Sequence, residues 1–425
     1  MPRSVGDPAA SALRIRLDRL LDRLDALAQI GAISGTTGCA RLALTDEDRA
    51  GRDLVVSWMR DLGLDVTIDG IGNVIAVMPA PAGPPVMTGS HIDTVATGGR
   101  YDGNYGVLAG LEVIESVMEA GVALERPLAV GFFTDEEGSR FPPDMLGSLV
   151  YVGGLPLEAA LDIEGIDGAT VGAELERIGY RGAAPCPGLV PHAFVELHIE
   201  QGPVLEREGR TIGAVTGVQG ISWTEVTITG QSNHAGTTPM SMRRDPAVVA
   251  GAIAVFVHEL ACEMGHPQVG TVGKINLHPD LVNVVPASAM VTVDLRNTDE
   301  QQLQRAEAAL LSHLQDLAAR HDVEITTRSL ARFEPVIFDP QIVQLISSIA
   351  SDQGHEPLEM PSGAGHDAQM LARVCPTAMV FVPSVDGISH NPAEHTHEPD
   401  LEHGANVLLQ TMVALANNEP VGANP

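Results

Sequence analysis

Between residues 88 and 106 the sequence reads Thr-Gly-Ser-His-Ile-Asp-Thr-Val-Ala-Thr-Gly-Gly-Arg-Tyr-Asp-Gly-Asn-Tyr-Gly. His91, Asp93 and Asp102 sit there on backbone dense with glycine. An imidazole and carboxylates held in a loop at the mouth of an α/β sheet suit a hydrolytic metal centre. Further polar clusters extend the set: Glu136-Glu137 within 134–141, His198 within 198–202 and His390 within 388–392. Each follows an apolar stretch that reads as a strand. Three His nitrogens and at least three carboxylates suit two divalent ions of borderline softness, such as Zn, Mn, Co or Ni. One carboxylate would bridge the pair, and cations so placed acidify a water enough to attack a carbonyl near neutral pH. Singly, each residue has a plainer use. A lone His after a strand is usually a hydrogen-bonded surface or core residue, and Glu136 with Glu137 would be a solvated turn. The metal argument rests on every cluster falling at a strand exit.

Side chains this far apart meet only if the intervening chain alternates strand and helix. Apolar strands are expected ending at 87 and over 127–133, 193–197 and 377–382, with further strands at 66–68 and 73–78. Leucines 13, 17, 20, 21, 24 and 27 recur at helical spacing over 12–30. A second helix starts at Thr45, whose hydroxyl can cap it, and buries Leu54, Val55, Trp58, Met59 and Leu62. Others are expected over 104–120, around 342–349 and over roughly 399–417, with 155–180 helical or irregular and a frayed tail from Asn417. This pattern predicts an α/β fold with a mainly parallel sheet covered on both faces. In such a sheet the loops gather beyond the carboxyl ends of the strands.

From 216 to 329 the pattern changes. Strand 221–230, helix 245–262, strands 269–277 and 288–296, helix 299–320 and strand 322–329 give the order β-α-β-β-α-β, the ferredoxin-like pattern. The expected organisation is a metal-binding domain over 1–215 and 330–425, with an inserted α+β lid and dimerisation domain over 216–329.

With 425 residues, two domains are the default, and 44% hydrophobic residues suffice for sizeable cores. Aromatics are only 3%, so aliphatic side chains must fill them. A formal charge of −30 argues against nucleic-acid or anionic-membrane partners. Cys39, Cys186, Cys262 and Cys375 lie far apart and read as reduced thiols. No secretory signal and no uncharged stretch of membrane-spanning length is evident, so a soluble cytoplasmic protein is expected.

The motifs Gly89-Ser-His-Ile-Asp-Thr, Tyr101-Asp-Gly-Asn-Tyr-Gly, Thr134-Asp-Glu-Glu-Gly-Ser-Arg-Phe, His198-Ile-Glu-Gln-Gly, Ser232-Asn-His-Ala-Gly-Thr-Thr-Pro, Gly363-Ala-Gly-His-Asp-Ala and Ile388-Ser-His-Asn-Pro span nearly the whole chain. In these the chain resembles the M20 metallopeptidase clan, and within it the amidase branch of N-carbamoyl-L-amino-acid hydrolases and allantoate amidohydrolases. The resemblance implies that His91, Glu137, His198 and His390 are metal ligands, that Asp102 bridges and that Glu136 is the general base. Asp93, two residues from His91, is placed to steer its imidazole. The peptidases of the clan carry a carboxylate at the His198 position, so histidine there favours a carbamoyl or ureido substrate.

Strand alternation puts Arg296 opposite Val291, Val293 and Leu295, free to face a cleft and bind a substrate carboxylate. Asn283 and Gln201 are expected to help, and Gly363 or Gly365, with Gly365 preferred, to allow close backbone approach. The resemblance gives His234 the steadying of a developing oxyanion, often across a dimer interface. His366 and Asp367 read as structural. Pro142-Pro-Asp-Met departs from the glycine-rich sequence usual after Phe141, which bears on pocket shape. The expected activity is hydrolysis of N-carbamoyl-L-amino acids by a homodimer holding two divalent ions per subunit. An allantoate amidohydrolase is the close alternative; a peptidase or a non-catalytic carboxylate-binding homologue is the weaker one.

Overall fold

A computed structural model describes residues 13–417. The expected tail beyond Asn417 and the start of the helix expected from residue 12 lie outside them. Two compact units make up the chain, one reaching to Gly217 and resuming at Ile337, the other Val218–Val336.

In the first unit, α1 (Leu17–Ala28) and α2 (Asp46–Asp61) precede β1 (Asp65–Ile68), β2 (Val74–Val77) and β3 (Val86–His91). α3 (Asn104–Ala120) leads to β4 (Leu128–Phe133), β5 (Ala193–Ile199) and β6 (Gly213–Val218). α1 begins later than its leucine spacing implies. The reason is side-chain capture of the backbone: Asn406 accepts the N–H of Ile15 at 3.0 Å and Glu112 that of Arg16 at 2.9 Å. α2 is capped as expected, with the Thr45 hydroxyl accepting from Asp48 N–H at 3.2 Å.

The second unit holds β7 (Gly220–Thr229), β8 (Asn233–His234), α4 (Pro246–Met264), β9 (Val269–His278), β10 (Val284–Val285), β11 (Ser288–Asn297), α5 (Glu300–His321) and β12 (Glu324–Phe333). Its four-stranded antiparallel sheet runs β12-β7-β11-β9. Val291, Val293 and Leu295 of β11 alternate into a core shared with Val249, Ile253 and Val257 of α4 and with Leu303, Leu310 and Leu314 of α5. β12 runs to Phe333, past the expected end at 329. By length and composition alone, α4 is long and apolar enough to cross a membrane. Its acids, Glu259 and Glu263, fall in its last two turns, while Val249, Ala250, Ile253 and Val257 are buried in the core just described.

The chain then returns to the first unit through β13 (Val336–Ile337), α6 (Pro340–Asp352), β14 (Leu358–Ser362), β15 (Thr377–Val382) and α7 (Glu398–Asn417). The sheet order is β1-β2-β4-β3-β5-β15-β6-β13, with β14 paired to β6. Pairing is parallel from β4 through β3 and β5 to β15, and antiparallel where β2 meets β4 and β6 meets β15. The strands β6, β13 and β14 are absent from the sequence reading. The core strands β3, β4, β5 and β15 are buried at every residue, which is why each reads as largely apolar up to the polar residues of the centre.

Candidate metal centre

The parallel core sets four exits side by side. β3 ends on His91, β4 runs into Glu136 and Glu137, β5 carries His198, and β15 runs on to His390. The β3–β5 ladder stops at Thr88 and Val195, three residues short of His91 and His198. Where it stops, Asp102 enters from the turn before α3. One oxygen, Oδ1, lies 3.5 Å from His91 Nε2 and 3.2 Å from His198 Nε2. The other, Oδ2, lies 3.4 Å from His390 Nε2, which is 3.2 Å from Glu137 Oε2. Two donor groups result, His91 with Asp102 and His198, and Asp102 with Glu137 and His390. Each offers nitrogen and oxygen atoms within 4.8 Å of one another, a set that fits a divalent cation of the zinc type. Glu136 adds an oxygen 3.5 Å from His91 Nε2.

Backbone carbonyls set the imidazoles. His91 Nδ1 donates to the carbonyl of Asp93 at 2.9 Å, and His198 Nδ1 to that of Ile199 at 2.8 Å. A carbonyl can only accept, so each ring presents Nε2 to the centre. The expectation for Asp93 is therefore corrected in part. Its main chain, not its carboxylate, steers His91, while the carboxylate accepts the N–H groups of Glu136 and Glu137, each at 3.3 Å. Gln201 donates to Asp102 Oδ2 at 2.9 Å.

A third acid and imidazole group, Glu196 with His198 and His366, lies behind the centre. Its polar atoms are already used. Glu196 accepts from the Ser90 hydroxyl at 2.6 Å and from Ala368 N–H at 2.8 Å, and His366 Nε2 bonds Ser362 at 2.9 Å. The His366 ring packs against that of His198 with centroids 4.7 Å apart. Gly365 precedes it, and a methyl group there would come within 3.0 Å of Met145. Met145 belongs to the segment that replaces the glycine-rich sequence, and its N–H donates to the Glu136 carbonyl at 2.7 Å.

The charges favour a cation. Burial works against protonating His91, yet Glu136, Asp102 and Asp93 outweigh it and hold its pKa well above the ordinary value. Hydrogen bonds to Asp102 and Glu137 push His390 up to about 10. Burial raises Glu136 well above the usual carboxylate range, and repulsion from Asp367 and Glu137 adds to it. Imidazoles that cling to protons beside acids are sites where positive charge is stabilised, and a divalent cation supplies it at a point.

The remaining sequence-predicted residues belong to the second unit. His234 pairs with Val284, and Asn283 accepts the N–H of Ala235 at 3.0 Å through its carbonyl, so His234 and Asn283 share one corner. Arg296 stands on the face of β11 opposite Val293 and Leu295, 2.9 Å from Asp294 and over the Trp223 ring.

Sequence reasoning missed several supports of the centre. Arg41 is fully buried and donates to the Ile92 carbonyl at 2.7 Å and to Asn104 at 2.7 Å. Buried Arg52 donates to Asp48 at 2.7 Å and to the Gly72 carbonyl at 2.7 Å. Glu394 accepts the N–H groups of Tyr101 and Asp102 at 2.9 and 3.2 Å. Glu394 had the one usable signal, an acid four residues past His390 in a polar segment.

A sheet whose parallel core carries an acid and imidazole set at its carboxyl edge, in a chain with a smaller antiparallel unit, defines the class. The chain belongs to peptidase family M20/M25/M40, whose model matches residues 87–414. Within it, the chain stands with the amidases. It is 41% identical over 413 residues to an N-carbamoyl-L-amino acid amidohydrolase of Geobacillus stearothermophilus, covering 95% of this chain and 100% of that one. It is 35% identical over 404 residues to an allantoate amidohydrolase of Bacillus subtilis, covering 93% and 97%. A crystal structure of an amidase of the hydantoinase/carbamoylase family from Burkholderia multivorans superposes with a TM-score of 0.92 at 46% identity, covering 96% of this chain and 100% of that one.

Proposed function

We propose that this amidohydrolase cleaves the carbamoyl C–N bond of N-carbamoyl-L-amino acids or related ureido acids, releasing ammonia, carbon dioxide and the amino acid. The observation that carries the reading is Asp102, whose two oxygens face separate donor groups at 3.2 to 3.5 Å. Two divalent cations held there by His91, His198, Asp102, Glu137 and His390 would polarise the carbamoyl oxygen and acidify the attacking water. Glu136, buried and 3.5 Å from His91 Nε2, takes that water's proton and returns it to the leaving amine nitrogen. The carbamate left behind breaks down to ammonia and carbon dioxide.

The second unit, with its β-α-β-β-α-β order, acts as a ferredoxin-like lid hinged near residues 215 and 330. On closure Arg296 and Asn283 hold the substrate carboxylate, with Gln201 and the backbone at Gly365 beside it, and His234 steadies the developing oxyanion. The exposed Val248 and Val255 of α4 and the unpaired edge of β9 support a homodimer through this unit. Allantoate is the second substrate reading, favoured by the Bacillus subtilis relative. A panel of N-carbamoyl-L-amino acids plus allantoate, assayed for ammonia release from metal-stripped protein with and without added manganese, tests the proposal. Turnover of neither class, or turnover indifferent to metal, refutes it.

A further inference from the structure

Glu394 touches no substrate in this reading, yet it is only 2% exposed and sits against the centre. Its Oε1 accepts from Tyr101 and Asp102 N–H, and its Oε2 lies 3.1 Å from the Ser389 hydroxyl. Ser389 in turn lies 3.0 Å from Asp102 Oδ2. The loop after β3 and the loop after β15 are thus tied together through one buried carboxylate. Gly99 leaves the space for it, since a methyl group there would overlap the Glu394 carboxylate.

We propose that Glu394 is a positioning residue that, with Ser389, holds the Asp102 carboxylate in the orientation that serves two cations rather than one. This rests on the two-cation reading above. The terminal torsion of an aspartate is soft and broad, so nothing intrinsic keeps Oδ1 toward His91 and His198 and Oδ2 toward His390. The Glu394 bond to Asp102 N–H fixes the backbone, and Ser389 and Gln201 fix Oδ2. Each carboxylate oxygen has about two lone pairs, so Oδ2 can ligate while it keeps one of these two bonds. Released from the tie, the carboxylate can turn both oxygens to one ion, and the other donor group loses a ligand.

The test is zinc binding to metal-stripped protein, titrated against a competing chelator, for the parent, Glu394→Ala, Glu394→Gln and Ser389→Ala. The parent is expected to take two equivalents. In Glu394→Ala and Ser389→Ala the first should bind within about twofold of the parent and the second about 10- to 100-fold more weakly. Glu394→Gln should fall between, because its amide oxygen still accepts both N–H groups and its NH₂ can reach the Ser389 oxygen. If Glu394→Ala does not fold, as judged by melting of the metal-free protein, the other two variants decide by the same criterion. Second-site affinity equal to the parent's in Ser389→Ala and Glu394→Gln, or equal weakening of both equivalents, overturns the role. A parent that binds fewer than two ions overturns the two-cation reading itself.

Discussion

Replacing Gly103 by alanine should disable the centre without touching a ligand. Gly103 is the middle residue of a tight turn, with φ 65° and ψ −50°, closed by a 2.6 Å bond from Asn104 N–H to the Asp102 carbonyl. That conformation is a γ-turn of the rare, positive-φ kind and costs an L-residue roughly 1–3 kcal/mol. Space is the larger obstacle. An added Cβ would lie 2.4 Å from Cε1 and Nε2 of His91. Non-bonded carbon contacts settle near about 3.5 Å, so the ring must retreat by roughly 1 Å. It is buried and tied to the Asp93 carbonyl, so it has little room to do so. Metal–ligand distances tolerate only about 0.2 Å. The expected loss in affinity for the ion held by His91, His198 and Asp102 is at least about tenfold, or ~1.4 kcal/mol. Gly121, at the other end of the same helix, supplies the control. It has φ 62° in the left-handed region and no atom within 4 Å of an added Cβ. Gly121→Ala should lower the melting temperature through strain alone and leave metal binding intact. Equilibrium dialysis with elemental analysis, beside melting curves of the stripped proteins, measures both. Parental metal affinity in Gly103→Ala would refute the assigned geometry.

Glu136→Gln should keep its bound metal and lose about 10²- to 10⁴-fold in kcat; near-normal turnover removes the base assignment. Arg296→Ala should raise KM strongly with a smaller change in kcat, and an unchanged KM ends its carboxylate role. Loading zinc onto metal-free protein at pH 7 should release protons, because His91, His198 and His390 all have raised pKa values and must be neutral to ligate. The sign follows: affinity rises with pH toward the His390 value of about 10, and loading without proton release in weakly buffered indicator contradicts it.

The candidate ligands were legible because each cluster of metal-binding residue types follows a strand, and parallel pairing brings the strand exits together. His91, Asp102, Glu137, His198 and His390 meet for that reason. What holds them was not legible. Arg41, Arg52 and Glu394 bind backbone groups of distant loops, and neither periodicity nor charge pattern marks a side chain that caps a main-chain amide far along the sequence. Asp93 was placed correctly and its atoms were not, since spacing alone does not distinguish a carbonyl from a carboxylate. The first helix starts late because Glu112 and Asn406, both remote in sequence, claim the backbone before Leu17. β13 and β14 are partly exposed, and β6 is interrupted by two glycines and a threonine, so none gave an unbroken apolar run.

The distribution of buried charge explains why those arginines stand one layer back. Asp93, Asp102, Glu136, Glu196, Asp367 and Glu394 are all buried. Burial pushes Asp93 up to about 6 and Glu394 up to about 7, and raises Glu136, Glu196 and Asp367 as well. An unpaired buried carboxylate costs several kcal/mol, so a fold that only needed stability would set a guanidinium among them. Among the described residues, the ion pairs that Asp102 and Glu136 make go to imidazoles alone. Arg52 instead neutralises Asp48, and Arg41 spends its donors on carbonyls and on Asn104. Both brace the loops from behind without quenching the acids in front. The acids in front are thereby left for a partner that carries two positive charges and accepts lone pairs, which no side chain does.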